Sequence, residues 1–235
     1  MAGRFAGQVA LVAGGTGALG RAVSLAFLEE GASVAVTYRV AAELELLRQE
    51  SGAGASRIEA HSTDVTNESA VAELVGSILS KHGRLDALVN TVGGYAAGKP
   101  LWETEVAVFD QQFALNFRAG LMLARAAVPP MRKAGRGAIV NIASKAAIDH
   151  AAASAAYAAS KSAAVAMIDS LSADLKGTGI RANSVLPTII DTEANRQAMP
   201  NADFAKWPKP QEIARVILFL CSDDARLIHG ASITV

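Results

Sequence analysis

Short runs of Val, Ile and Leu alternate along this chain with longer stretches of helical periodicity, and that alternation restricts the fold more than any other feature. The runs predict strands over 9–13, 33–38, 57–61, 85–90, 138–142, 180–185 and 232–235. Most are unbroken rather than alternating, as expected of strands covered by helices on both faces, and their regular interruption by helical segments is the pattern of a parallel sheet with crossover helices. Helices are predicted over 21–30, 67–82 and 154–176. Each runs into a glycine, Gly31, Gly83 or Gly177, suited to the left-handed residue that ends a helix. The segment 187–210 is the least periodic and is expected to be a mobile or specificity-bearing loop.

With 235 residues, 51% hydrophobic and 19% charged, the chain has material for a large core, which excludes disorder as its main state. No repeat, low-complexity linker or charge block marks a boundary, so one domain over 1–235 is expected. Twenty-two basic residues balance 22 acidic ones, leaving no net field to draw nucleic acid or an anionic membrane. Neither is expected as a partner. Cys221 is the single cysteine, which excludes an intrachain disulfide and a thiolate metal cluster and points to a reducing, cytoplasmic compartment. The first eight residues lack the apolar core of a signal peptide, and no segment approaches the roughly 18 unbroken apolar residues of a membrane span. A soluble protein is expected.

The first strand leads directly into Gly14-Gly15-Thr16-Gly17-Ala18-Leu19-Gly20 and then a helix. Gly15, Gly17 and Gly20 match GxGxxG in the strand, turn and helix context that a dinucleotide site requires. Without side chains the backbone can approach a pyrophosphate, and the helix start presents unsatisfied N–H donors at the positive end of its dipole. The competing reading is a glycine-rich turn with no ligand.

Tyr157 and Lys161 lie four residues apart near a helix start, which puts phenol and ammonium on one face. A tyrosine with an ordinary pKa of about 10 is a poor base at neutral pH, and a neighbouring cation favours its charged form. Ser144 lies 13 residues earlier, just after a strand, where a loop can bring its hydroxyl beside the phenol. Taken alone, a Tyr and a Lys at this spacing are also common on a solvated helix face.

Together these features resemble the short-chain dehydrogenase/reductase family, and the resemblance covers essentially the whole chain. Tyr157 and Lys161 correspond to its YxxxK pair, Ser144 to its catalytic serine, and Asn116 to the asparagine of its proton-relay tetrad. Asn90-Thr91-Val92-Gly93 stands at its NAAG-like motif, Asp64-Val65 at the pair that contacts adenine, and 183–192, with Pro187, Ile190 and Thr192, at the stretch that closes over nicotinamide. The resemblance implies a Rossmann-type, doubly wound α/β fold of about seven parallel strands with helices on both faces. It implies hydride exchange between a nicotinamide cofactor and a small carbonyl or alcohol. Tyr157 would protonate the developing alkoxide, with Ser144 bonding the carbonyl oxygen. Lys161 would hold the ribose and lower the Tyr157 pKa, and Asn116 would anchor a relay water. The cofactor set would be Gly14, Thr16, Gly17, Leu19, Gly20, Arg39, Asp64, Val65, Asn90, Gly93, Tyr157, Lys161, Pro187, Ile190 and Thr192. A homodimer or homotetramer is implied as well.

The chain departs from the family's TGxxxGxG loop at Ala13 and Ala18, and from the usual glycine after Pro187 at Thr188. At the end of the second strand, Tyr38 stands where an acid would accept from the adenosine ribose, followed by Arg39. A guanidinium fork suits a 2′-phosphate, so NADP(H) is expected over NAD(H), although no basic residue lies between Gly14 and Gly20.

A second resemblance, to the family's dihydropteridine reductases, is carried by 14–20, Gly93-Gly94-Tyr95, Lys145-Ala146-Ala147 and 187–207. Against it, those reductases carry an alanine-like residue at Ser144 and an Asp at Tyr38. A nucleotide-binding sensor that keeps the fold without turnover is the rival from another class; loss of a tetrad residue would signal it, and none is lost. The histidines, His61, His82, His150 and His229, show no HxH or HExxH spacing, so no metal is expected. Asp149 and His150 read as a solvated loop pair, with a substrate-facing role as the alternative. Tyr95, Trp102, Phe204 and Trp207 read equally as cleft border or as loop packing.

Overall fold

The computed structural model describes residues 3–235. An unbroken apolar strand can satisfy both of its faces only between two layers, because successive side chains point to opposite sides. In β1 (Val9–Ala13) every residue is buried. Ala10 and Val12 enter one core with Phe27, Ile213 and Ile217, while Val9, Leu11 and Ala13 enter the other with Leu74, Leu123 and Ile168.

The chain continues through α1 (Ala18–Glu29), β2 (Ser33–Tyr38), α2 (Ala41–Ser51), β3 (Ile58–Ser62), α3 (Glu68–His82), β4 (Ala87–Asn90), α4 (Val106–Phe113) and α5 (Ala119–Ala134). It closes with β5 (Gly137–Ile142), α6 (Ala155–Asp174), β6 (Ile180–Leu186), α7 (Glu193–Ala198), α8 (Pro210–Cys221) and β7 (Ser232–Thr234). The seven strands form one parallel sheet in the order β3-β2-β1-β4-β5-β6-β7. The chain moves outward from β1 to β3, then returns to place β4 on the other side of β1, with Ala13 opposite Asn90. Such a reversal leaves a crevice at the carboxyl ends of the strands, where ligands of these sheets bind. This is the doubly wound Rossmann-type fold that the sequence predicts.

The expected terminal glycines adopt left-handed φ values, 91° at Gly31, 70° at Gly83 and 78° at Gly177, although the last lies two residues beyond Leu175, which caps α6. Two expectations are corrected. Helix α1 begins at Ala18 with Gly17 as its cap, not at 21, so the second half of the glycine motif is the first turn of the helix. Residues 187–210 are not a loose loop, because they contain α7 and a short turn at Phe204–Lys206. Arg196 forks onto Asp191, with Nη2 at 2.8 Å from Oδ2, and lies 5.0 Å over the Phe204 ring, which in turn packs 4.9 Å from Trp207. No helix among the described residues is long and apolar enough to cross a membrane.

Candidate active site

The glycine loop is built by the absence of side chains on its sheet side. A Cβ on Gly20 would lie 2.0 Å from the Gly14 carbonyl oxygen, and one on Gly15 would lie 2.7 Å from Val36. Gly14 takes φ +72°, a region open to glycine at little cost, and donates to Thr37 Oγ1 at 2.8 Å. Thr91 ties the loop to β4, its hydroxyl 2.7 Å from the Ala13 carbonyl. On the other side the loop is open, since a Cβ on Gly17 would meet nothing nearer than 3.7 Å. The first amides of α1 have no acceptor within their own helix and no side-chain cap. A cradle sealed against the sheet and open at a capless helix start fits a pyrophosphate.

Asp64 and Val65 follow β3. Asp64 accepts from the Thr66 amide and hydroxyl at 2.9 and 2.7 Å, and these bonds, more than the nearby Arg39 guanidinium, hold its carboxyl below the usual range. Arg39 is exposed and follows Tyr38, which pairs with Ser62 two residues before Asp64, so Arg39 and Asp64 stand at neighbouring strand ends. Asn90, 3% exposed, donates to Asn141 at 2.8 Å and accepts from the Val92 amide at 3.1 Å, so it shapes the turn after β4.

That turn carries Gly93, where a Cβ would lie 2.8 Å from Asn116 Oδ1 and 3.1 Å from Lys161 Nζ. Asn116 sits on a five-residue π-type turn, Ala114–Arg118, between α4 and α5, an irregularity frequent at functional sites. Its amide clamps the Gly94 peptide, accepting from N at 2.9 Å and reaching the carbonyl at 3.0 Å. Gln112 and Ser160 also contact it, at 3.1 and 3.0 Å. These two supporting residues escape notice in the sequence reading. Their signals were the four-residue spacing of Gln112 to Asn116 and the place of Ser160 inside the Tyr157 to Lys161 motif.

Ser144 caps the short turn Lys145–Ala147, accepting from the Ala146 amide at 3.1 Å, and Lys145 N bonds the Pro187 carbonyl at 2.9 Å, so the ends of β5 and β6 meet here. On α6, Lys161 is 5% exposed. It donates to the Ile142 carbonyl at 3.1 Å, and burial depresses its pKa to about 8. The expected depression of Tyr157 is not found. Burial holds the phenol above its ordinary value, the Ser144 hydroxyl pulls it back in part, and Tyr95 adds to the rise. The Lys161 ammonium lies over the ring, 5.9 Å from its centroid. A phenol kept protonated is suited to giving a proton.

Tyr95 meets Tyr157 edge to face, with centroids 4.9 Å apart, yet is 73% exposed. Its exposed ring packs on the phenol and not into the core. Pro187, Ile190 and Thr192 follow the end of β6: Ile190 packs on the core, and Thr192 caps α7, accepting from Asn195 N at 3.2 Å. A cleft of about 510 Å³ beside them is lined by Asp191, Thr192, Glu193, Arg196, Pro200 and Phe204. Asp149 pairs with Lys145 at 3.1 Å, and His150 contacts the Ala147 carbonyl at 3.1 Å, which is the solvated-loop reading. His61 and His82 both bond Glu59, at 2.9 and 2.8 Å. The buried Cys221 thiol is pushed up to about 12 by its burial and is unreactive.

The family profile described as short chain dehydrogenase matches residues 8–203. D-threitol dehydrogenase of Mycolicibacterium smegmatis is 32% identical over 241 residues, spanning 99% of this chain and 92% of that protein. The structure described as ElxO with NADP bound superposes with a TM-score of 0.91 at 27% identity, covering 97% of this chain and 96% of that one. NAD+-bound xylitol dehydrogenase gives 0.91 at 26% identity, covering 99% and 98%. The chain belongs to the short-chain dehydrogenase family, oxidoreductases that bind NAD(P) and act on small molecules.

Proposed function

We propose that this protein interconverts a small carbonyl compound and its alcohol at the crevice between β1 and β4, with Ser144, Tyr157 and Lys161 as its catalytic residues. The observation that carries the reading is the meeting of those three side chains at the strand ends, across from a glycine cradle fit for a dinucleotide. A bound nicotinamide cofactor supplies the two-electron chemistry; the protein orients and polarises. Ser144 donates to the substrate oxygen and stabilises charge where it develops. Tyr157, protonated at neutral pH, delivers its proton to that oxygen. Lys161 holds the ribose beside Tyr157, and Asn116 anchors the Gly94 turn and a water that returns the proton. The segment 188–210 faces the substrate, with Tyr95 opposite it. Gly14, Thr16, Gly17, Leu19, Gly20, Asp64, Val65, Asn90, Gly93, Pro187, Ile190 and Thr192 form the cofactor surface.

A panel assay of NADPH and NADH oxidation with ketones, acetoacetyl thioesters, quinones and quinonoid dihydropterin tests the reading. Turnover with a ketone or thioester supports it. Tight dinucleotide binding with no turnover on any carbonyl points instead to a sensor.

NADP(H) is the favoured cofactor, because Arg39 offers a fork of donors at the adenosine end. Arg39→Ala is expected to raise the NADPH dissociation constant about tenfold and leave that of NADH nearly unchanged. Equal weakening of both would remove Arg39 as a discriminator.

The chain acts as a homodimer or homotetramer in this reading, since soluble homo-oligomers close by symmetry and the alanine-rich α6 permits close packing. Light scattering at micromolar concentration should give a multiple of 24.2 kDa. A monomer would refute it.

A further inference from the structure

A threonine hydroxyl has one hydrogen to give and lone pairs to accept with. In the glycine loop Thr16, 2% exposed, spends that hydrogen on Glu43 Oε2 at 3.0 Å. Glu43 reaches the loop from the first turn of α2. The other acids of that helix turn elsewhere, Glu45 to Arg48 and Glu50 to Arg21. The Thr16 to Glu43 bond therefore joins the turn after β1 to the helix after β2, the two segments that flank the adenosine end of the cradle.

The direction of this bond matters. With the hydrogen given by Thr16, the half-buried carboxylate is held at the loop as an acceptor. An acceptor suits a ribose hydroxyl, which donates. It opposes a 2′-phosphate, which brings only negative charge and further acceptors. Arg39, just after β2, carries the opposite preference.

We propose that Glu43 is a cofactor-specificity residue: from α2, and oriented by the buried Thr16 hydroxyl, it supplies the acid that the end of β2 lacks, accepting from ribose hydroxyls and restraining the 2′-phosphate preference that Arg39 creates. This rests on the nicotinamide reading of the site. The preference for NADP(H) is then a narrow balance between one cation and one anion, and either can tip it.

Dissociation constants for NADH and NADPH, measured by calorimetry on the full chain without substrate, test the proposal in wild type, Glu43→Gln and Thr16→Val. Glu43→Gln keeps the shape of the side chain and removes its charge. It should tighten NADPH and weaken NADH, moving the ratio of the two constants toward NADPH by about tenfold or more. Thr16→Val should weaken NADH more than NADPH, because the donor that orients the Glu43 carboxylate is lost, and serves if Glu43→Gln folds poorly. An unchanged ratio in both variants, or equal weakening of both dinucleotides, overturns the role of Glu43 and leaves the bond a structural tether. Failure of the wild type to bind either dinucleotide overturns the hydride-transfer reading itself, and this inference with it.

Discussion

Tyr157→Phe is expected to bind dinucleotide as wild type does and to lose about 10²-fold or more in turnover, the range assigned to positioned acid and base groups. The variant removes one hydroxyl and keeps the ring, so the edge-to-face contact with Tyr95 at 4.9 Å survives. What disappears is the proton held ready at the strand ends. Because burial keeps the phenol above its ordinary pKa, that proton is present throughout the neutral range. Dinucleotide titration beside single-turnover rates separates the two roles, and full activity in the variant would sink the mechanism.

Lys161→Met is expected to abolish turnover and yet make the unliganded protein more stable at pH 7. The ammonium is buried with a single carbonyl partner, and its pKa falls from 10.5 to about 8. A base whose folded pKa is depressed is penalised wherever it must stay charged. The penalty is therefore complete below pH 8 and fades as pH rises toward 10.5, across the window in which the folded state has lost a proton that the unfolded state keeps. Its size is about 3 kcal/mol, offset by about 1 kcal/mol for the hydrogen bond to Ile142. In a chain of this size the remainder corresponds to a rise in Tm of about 4–8 °C. The wild type should gain stability between pH 8 and 10.5, and the variant should not. Equal slopes, or a lower Tm in the variant at pH 7, would contradict this account.

The central strands were legible because helices cover the sheet on both sides, so most positions of β1, β2 and β4 had to be apolar and their runs stand out without an alignment. The start of α1 was not, since Gly17 caps it through geometry rather than a side chain. Helix α5 was hidden by Pro129 and Pro130 inside it, residues that ordinarily argue against a helix interior. The order in 187–210 depends on pairs such as Asp191 with Arg196 and Phe204 with Trp207, which no local pattern announces. In the site, the glycine loop and the Tyr157 to Lys161 spacing were readable because they are local. The sign of the Tyr157 shift was not, because burial sets it. The contact between Thr16 and Glu43 crosses 27 positions and leaves no trace in either segment.

The missing side chain of Gly93 has a consequence for how this protein can change. Asn116 and Lys161 both crowd the place its Cβ would take, so the turn after β4, the π-type turn and α6 are interlocked at one point, and a shift in any of them is felt by the other two. In the proposed function, adaptation to new substrates is therefore channelled to the α7 segment, outside the interlock, whereas Tyr95 packs on Tyr157 and follows the clamped Gly94. Directed evolution that draws its diversity from the α7 segment should yield altered substrate range with Tyr157 and Lys161 undisturbed, whereas diversity placed at 93, 116 or 161 should yield mostly inactive chains.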